Sequence, residues 1–205
     1  MVVQYAFLVN SDACSGCKTC QVACKDKNDL PAGVHWRKVY EVTAGGWQET
    51  EGAWVSTVAA YNLSAACHHC LNPLCAPPCP TQAIWKTENG IVLIDENLCR
   101  NCRACIWACP YGAIYFNPVL NTTTKCDFCL GYLEAGMSPA CVAACPNRAL
   151  DFGEFAELKK KHGDVNRVFP LPASSLAAPA LVIIPHRNTA LVESRGPVIA
   201  NGEEV

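Results

Sequence analysis

Sixteen cysteines stand in a chain of 205 residues, and they fall into four groups of four with none left over. Cys14, Cys17, Cys20 and Cys24 follow the spacing C-x2-C-x2-C-x3-C, and Cys99, Cys102, Cys105 and Cys109 repeat it. Cys67, Cys70, Cys75 and Cys79 follow C-x2-C-x4-C-x3-C, while Cys126, Cys129, Cys141 and Cys145 follow C-x2-C-x11-C-x3-C. Three groups end in Cys-Pro-x-x-Ala and an aliphatic residue: CPTQAI from Cys79, CPYGAI from Cys109 and CPNRAL from Cys145. The first group departs from this, with Lys25 after Cys24. Repeated spacing with a repeated tail points to duplicated modules. Cysteine at this density also displaces the aliphatic side chains of an ordinary core, so whatever the thiols hold must stand in for part of it.

Three chemistries use cysteine this heavily. Disulfides fit the even count, but disulfide scaffolds are usually shorter, secreted chains. Met1–Asn10 (MVVQYAFLVN) shows neither the basic n-region nor the small-residue cleavage site of a secretion signal. Zinc knuckles use two separated C-x2-C pairs, and compact triplets make poor zinc cages. A C-x2-C-x2-C loop can instead curl round one face of an iron–sulfur cube, setting three thiolates on three irons. The fourth cysteine, followed by proline, then reaches the other cluster of a pair. Thiolate is the natural ligand for such clusters. The three-cysteine C-x3-C-x2-C cradle of radical enzymes is missing, because Lys27 and Arg148 stand where its third cysteine would be.

The pattern therefore predicts four [4Fe-4S] clusters in two modules. The simplest nesting in chain order pairs the first group with the fourth and the second with the third. Cluster A then takes Cys14, Cys17, Cys20 and Cys145, and cluster B takes Cys24, Cys126, Cys129 and Cys141. Cluster C takes Cys67, Cys70, Cys75 and Cys109, and cluster D takes Cys79, Cys99, Cys102 and Cys105. Spacing alone also allows the first group to pair with the second and the third with the fourth. Four thiolates per cluster leave no iron open to substrate, so each cluster stores and passes an electron. No Ser/His/Asp constellation, P-loop or GxGxxG occurs elsewhere, so the chain reads as wiring without a catalytic site of its own.

The rest of the chain reads as short pieces. Strands are expected over 34–42 and 54–63 around a Gly45-Gly46 turn, and over 83–86 and 91–95 around Asn89-Gly90. Residues 154–162 (EFAELKKKH) predict a helix ended by Gly163, with lysines where the helix dipole favours them. Each Cys-Pro is expected to open a helix. Beyond Arg167 the chain is rich in Pro, Ala and Ser and reads as an extended tail along a partner or the domain surface. Its longest apolar stretch, Leu176–Pro185, is too short to span a bilayer and contains Pro179. Sixteen basic against eighteen acidic residues leave no nucleic-acid footprint.

Some residues tempt a larger role. His68 and His69, inside the second group, read as loop-filling donors to cluster sulfur rather than as ligands. Arg100 and Arg103 flank Cys102 and Lys125 precedes Cys126; positive charge there raises a cluster's potential, and a solvated surface position is the equal alternative. Trp107 and the other four tryptophans read as packing. Lys159–Lys161 read as a solvated helix end.

The sequence resembles the iron–sulfur subunits of the dimethyl sulfoxide reductase family from about residue 4 to 165. The resemblance lies in QYAF, CSGCKTCQVACKDKNDL, GGWQETEGAW, CHHCLNPLC, CRNCRACIWACPYGA, TKCDFC and ACPNRALDFGEFAELKKKHGD. It implies a heterotrimer with a molybdenum bis-pterin catalytic subunit and an integral membrane anchor that oxidises quinol. Electrons would then run from the anchor through clusters D, C, B and A, which favours the nested pairing. Cys102 stands where nitrate reductase relatives carry a tryptophan, so four four-iron clusters are expected. A separate anchor is implied, because no C-terminal spanning helix follows. The periplasmic face is implied by analogy with members exported beside a catalytic partner, and the cytoplasmic face stays open.

The fold class expected is α+β, two ferredoxin-like modules with an inserted hairpin region. Residues 1–33 and 119–165 form the two halves of an outer module, 34–63 the inserted β region, 64–118 an inner module and 166–205 the tail. The alternatives are a subunit of a related polysulfide, tetrathionate, selenate or formate complex, a free multi-cluster ferredoxin, and a zinc-binding structural protein.

Overall fold

The computed structural model describes residues 3–205; the first two residues of the 1–33 segment, and of the stretch read for a secretion signal, lie outside it. It is a mixed α/β structure of short elements. Strand β1 (Tyr5–Asn10) leads to helix α1 (Thr19–Lys27), and then come β2 (Arg37–Ala44), β3 (Trp47–Thr50), β4 (Ala53–Ser56) and β5 (Ala59–Ala66). Next are β6 (Ile84–Lys86), β7 (Val92–Ile94), α2 (Ala104–Ala108), β8 (Ile114–Asn117) and β9 (Thr122–Lys125). The chain closes with α3 (Leu130–Glu134), α4 (Ala140–Ala143), β10 (Leu150–Glu154), α5 (Phe155–His162), β11 (Leu181–Ile184), α6 (Thr189–Ser194) and β12 (Val198–Ile199).

Strand β1 organises the molecule. It pairs antiparallel with β10, Tyr5 opposite Glu154, and parallel with β11, Phe7 opposite Leu181. Residues from both ends of the chain thus meet in one sheet. Side chains alternate across a strand, so Phe7 and Val9 enter the main core while Ala6 and Leu8 pack under Leu158 of α5. A second sheet runs β12–β2–β5, and three further hairpins are β3–β4, β6–β7 and β8–β9. Among the described residues no helix is long and apolar enough to cross a membrane.

The expected strand pair around Gly45-Gly46 needs correction. The β2–β5 ladder runs from Arg37–Ala66 to Ala44–Ala59, and the glycines kink it into a separate arm, β3–β4, whose turn lies at Glu51-Gly52. Gly45 has φ +86°, and a Cβ there would lie 2.3 Å from the Thr57 carbonyl oxygen, so only glycine fits the kink. The hairpin at Asn89-Gly90 and the helix before Gly163 lie where the sequence predicts them, within a residue or two.

The last forty residues also differ from an extended tail. The apolar run Leu181–Ile184 is a buried strand, α6 buries Val192, and Asn201 donates to the Val39 carbonyl and accepts from the Glu41 amide. Alanine and proline dilute the hydrophobic pattern there, while parallel pairing to β1 leaves no local signature. Ile183 is fully buried. Ile183→Ala is expected to cost about 2–5 kcal/mol, read as a lower urea midpoint of the anaerobic protein.

Candidate iron–sulfur centres

All sixteen cysteines are free thiols, and they gather round cavities. One cavity is lined by Cys14, Cys17, Cys20 and Cys145, together with Val39 and Ser64. A second is lined by Cys67, Cys70, Cys75 and Cys109. A third is lined by Cys79, Cys99, Cys102 and Cys105. In each, three cysteines of one sequence group are joined by the last cysteine of another. Cys24, Cys126, Cys129 and Cys141 form the remaining set; all are buried, and Cys129 and Cys141 lie close enough to Cys24 to disfavour its ionisation. We call these sets cages A, C, D and B, after the clusters assigned to them above.

Local structure places each thiol. Helix α1 carries Cys20 of cage A and Cys24 of cage B one turn apart, a rise of about 6 Å. Helix α4 carries Cys141 of cage B, and Cys145 of cage A follows it. Helix α2 does the same for Cys105 of cage D and Cys109 of cage C. The helices therefore run between third and fourth cysteines, not onward from Cys-Pro as the sequence suggests. Proline disfavours helical geometry in the residue before it, and Cys109 is extended, so Pro110 ends α2 and Pro146 follows α4, whereas α1, with Lys25 after Cys24, runs on to Lys27.

After each Cys-Pro the chain makes the same turn. Gln82, Gly112 and Arg148 have φ values of 53°, 56° and 51°. Their amides donate to the carbonyls of Cys79, Cys109 and Cys145. The alanine that follows then aims its N–H at the cysteine sulfur: Ala83 to Cys79 at 3.3 Å, Ala149 to Cys145 at 3.2 Å, and Ala113 to Cys109. The repeated C-P-x-x-A motif is thus a device for presenting one main-chain donor to one thiolate.

Three observations test what the cages could hold. First, among the described residues no three Cys, His, Asp or Glu side chains converge as a single metal ion requires, whereas zinc draws its thiolates to ~2.3 Å. The thiols instead surround three cavities with four cysteines each, as one repeated polynuclear occupant would need. Second, buried polar groups normally have partners, yet both ring nitrogens of His68, the Tyr111 hydroxyl, Thr123 Oγ1 and Arg37 Nη2 have none among the described residues. His68 and Tyr111 line cage C and Thr123 lines cage D. Third, burial, reinforced by neighbouring thiols, pushes Cys24 and Cys75 up to about 12. Cys24 and Cys75 therefore keep their protons at neutral pH, so metal binding must release them and must weaken as pH falls. Four thiol donors per cavity and orphaned hydrogen-bonding groups in the walls both fit iron–sulfur clusters.

The tempting residues sort out clearly. Burial holds His68 neutral, down to about 3, and its ring packs 4.4 Å from Tyr111. His69 Nδ1 accepts from the Val92 amide at 3.1 Å, and its ring meets Phe128. Lys125 is buried rather than solvated, and its ammonium donates to the carbonyls of Val92 and Cys126. Arg100 and Arg103 are exposed, with Arg103 3.8 Å above the Phe116 ring. Trp107 is not packing: it is 89 % exposed, and Trp47, Trp54 and Trp85 are exposed too. Of the five tryptophans only Trp36 is tied in, donating to Thr124 Oγ1. The three lysines of α5 are exposed. Arg37, buried between cages, escapes a reading of the sequence because a lone arginine in an alternating strand looks solvent-facing.

Comparison with known proteins agrees with this chemistry. Residues 58–155 match the family described as 4Fe-4S dicluster domain. The sequence is 46% identical to one of the chains of the anaerobic dimethyl sulfoxide reductase of Escherichia coli (strain K12), over the full length of both. It is 34% identical to one of the chains of the polysulfide reductase of Wolinella succinogenes, over 91% of this chain and 97% of that one. It is 39% identical to one of the subunits of the tetrathionate reductase of Salmonella typhimurium, over 75% of this chain and 59% of that one. With cysteine-lined cages and full-length likeness together, the protein belongs to the dimethyl sulfoxide reductase family of iron–sulfur electron-transfer subunits.

Proposed function

We propose that this chain relays electrons through four [4Fe-4S] clusters, held by the sixteen cysteines in cages A to D. The source is a quinol-oxidising integral membrane anchor. The destination is a molybdenum bis-pterin subunit that reduces dimethyl sulfoxide or a similar S- or N-oxide. The chain sits on the membrane's periplasmic face as part of a heterotrimer. The observation that carries this reading is the lining of three cavities by four cysteines each, every set closed by a cysteine from another sequence group.

Each cluster, when bound, accepts and gives up one electron. The chain's residues fix where and in what order. Helices α1 and α2 and the Ala140–Cys145 segment link cages A to B and C to D through cysteines four residues apart. Cys126 of cage B and Cys67 of cage C are close enough to interact electrostatically, which supports the linear order A–B–C–D. Cys17 of cage A and Cys102 of cage D are exposed, whereas every cage B thiol is buried. The relay therefore opens to partners at its two ends. Trp107, Leu98, Val119 and Leu120, all exposed and all close in sequence to cage D cysteines or β8, supply apolar surface for the anchor at the D end. On this reading 1–33 with 119–165, and 64–118, are two ferredoxin-like modules.

Iron and acid-labile sulfide on anaerobically purified complex test the proposal. About sixteen of each per chain are expected, with interacting paramagnetic signals on reductive titration. About four zinc ions and no visible absorption would overturn it.

A further inference from the structure

Arg37 is the largest fully buried side chain among the described residues, and it forms no salt bridge with a carboxylate there. Its Nη1 donates to Ser64 Oγ at 3.1 Å, and Ser64 Oγ lies 3.4 Å from Cys20 Sγ in the wall of cage A. Its guanidinium lies 4.7 Å above the Phe7 ring. Phe7 stacks at 4.1 Å on Phe128, one of the two residues between the cage B cysteines Cys126 and Cys129. Nη2 has no hydrogen-bond partner among the described residues. An arginine cannot shed its proton to escape burial, and an uncompensated buried charge is strongly unfavourable. Burial opposes the charge, yet Cys141, Cys20, Cys126 and Cys24 leave its hold on the proton raised. One of these sulfurs is part of cage A and three are part of cage B.

The next gap repeats the arrangement. Lys125 donates to the carbonyl of Cys126, a cage B residue, and to that of Val92, which lines cage C. It also draws on Cys75 and Cys109 of cage C.

We propose that Arg37 and Lys125 are positioning residues for the relay, one buried cation set between cages A and B and one between B and C. Each compensates the negative charge of two adjacent occupants. This inference rests on the four-cluster reading above. A thiolate-bound cube is a net anion that gains a further negative charge on reduction, so a fixed cation beside it favours the reduced form. One cation shared by two cages raises both potentials together, keeping neighbours matched along the path.

The test is potentiometric titration of the whole complex, followed by electron paramagnetic resonance, for wild type, Arg37→Met, Arg37→Lys and Lys125→Met. Arg37→Met is expected to lower the midpoints of A and B and leave C and D in place. Lys125→Met is expected to lower B and C, and Arg37→Lys to stay near wild type. If Arg37→Met keeps its full iron and every midpoint is unmoved, the proposal is overturned. If Arg37→Met loses iron, Arg37→Lys decides. Recovery of iron by lysine supports a requirement for charge, and equal loss means a packing role and overturns it. Absence of iron–sulfur signals in the wild type would instead sink the relay reading itself.

Discussion

Cys102→Ser is expected to reduce quinol-driven turnover to background while turnover driven by an artificial reduced dye, entering beyond cage D, persists. Cys102 is one of two exposed cysteines and lines the cavity at the end proposed to receive electrons. Its replacement spoils one cage and leaves the cavities of cages A and C untouched, so iron should fall by about four at most. Cages A, B and C would keep their resonance signals. Assaying one preparation with quinol and with dye separates the two activities. Undiminished quinol turnover would mean that electrons enter elsewhere, and the path D to A would be wrong.

Cys145→Ser should produce the opposite separation. Cys145 lies in the fourth sequence group, yet its sulfur lines the cavity with Cys14, Cys17 and Cys20. Loss of the cage A signal is expected, with iron dropping from about sixteen to about twelve. Dye and quinol turnover should both fail, because on the proposed path cage A is the exit toward the catalytic subunit. Pairing of successive groups would instead link Cys145 to Cys99, Cys102 and Cys105, and the signal of cage D would vanish. The identity of the missing signal therefore decides the pairing. Serine's hydroxyl is also a poor replacement for a buried sulfur accepting the Ala149 amide.

Much of the site is legible in the sequence because cluster chemistry demands fixed spacings within a few residues. The C-P-x-x-A tails, the Asn89-Gly90 hairpin and the Gly163 stop are local signals of the same kind. What escapes is long-range. Strand β1 carries no turn or cap that announces it, and its partners lie about 145 and 175 residues away. The β11 strand is hidden in a stretch whose prolines and alanines look like linker. Arg37 and Lys125 look like surface charges until the fold buries them. The direction of the helices around the cysteines is easily misread, because proline suits the first turn of a helix as well as its end.

Three crossover cysteines, Cys79, Cys109 and Cys145, receive their donor from a peptide N–H, which no substitution except proline can remove. Cys24 has no proline after it and continues inside helix α1, so it lacks this donor. Its sulfur is served by the Asn28 side chain, 3.7 Å away. Hydrogen bonds to the sulfurs help to set a cluster's potential. On the proposed reading these three crossover sites have a voltage contribution written into the backbone, beyond the reach of side-chain substitution. The crossover sulfur of Cys24 depends instead on one exchangeable side chain, so there descendants of this sequence can retune the wire by a single substitution.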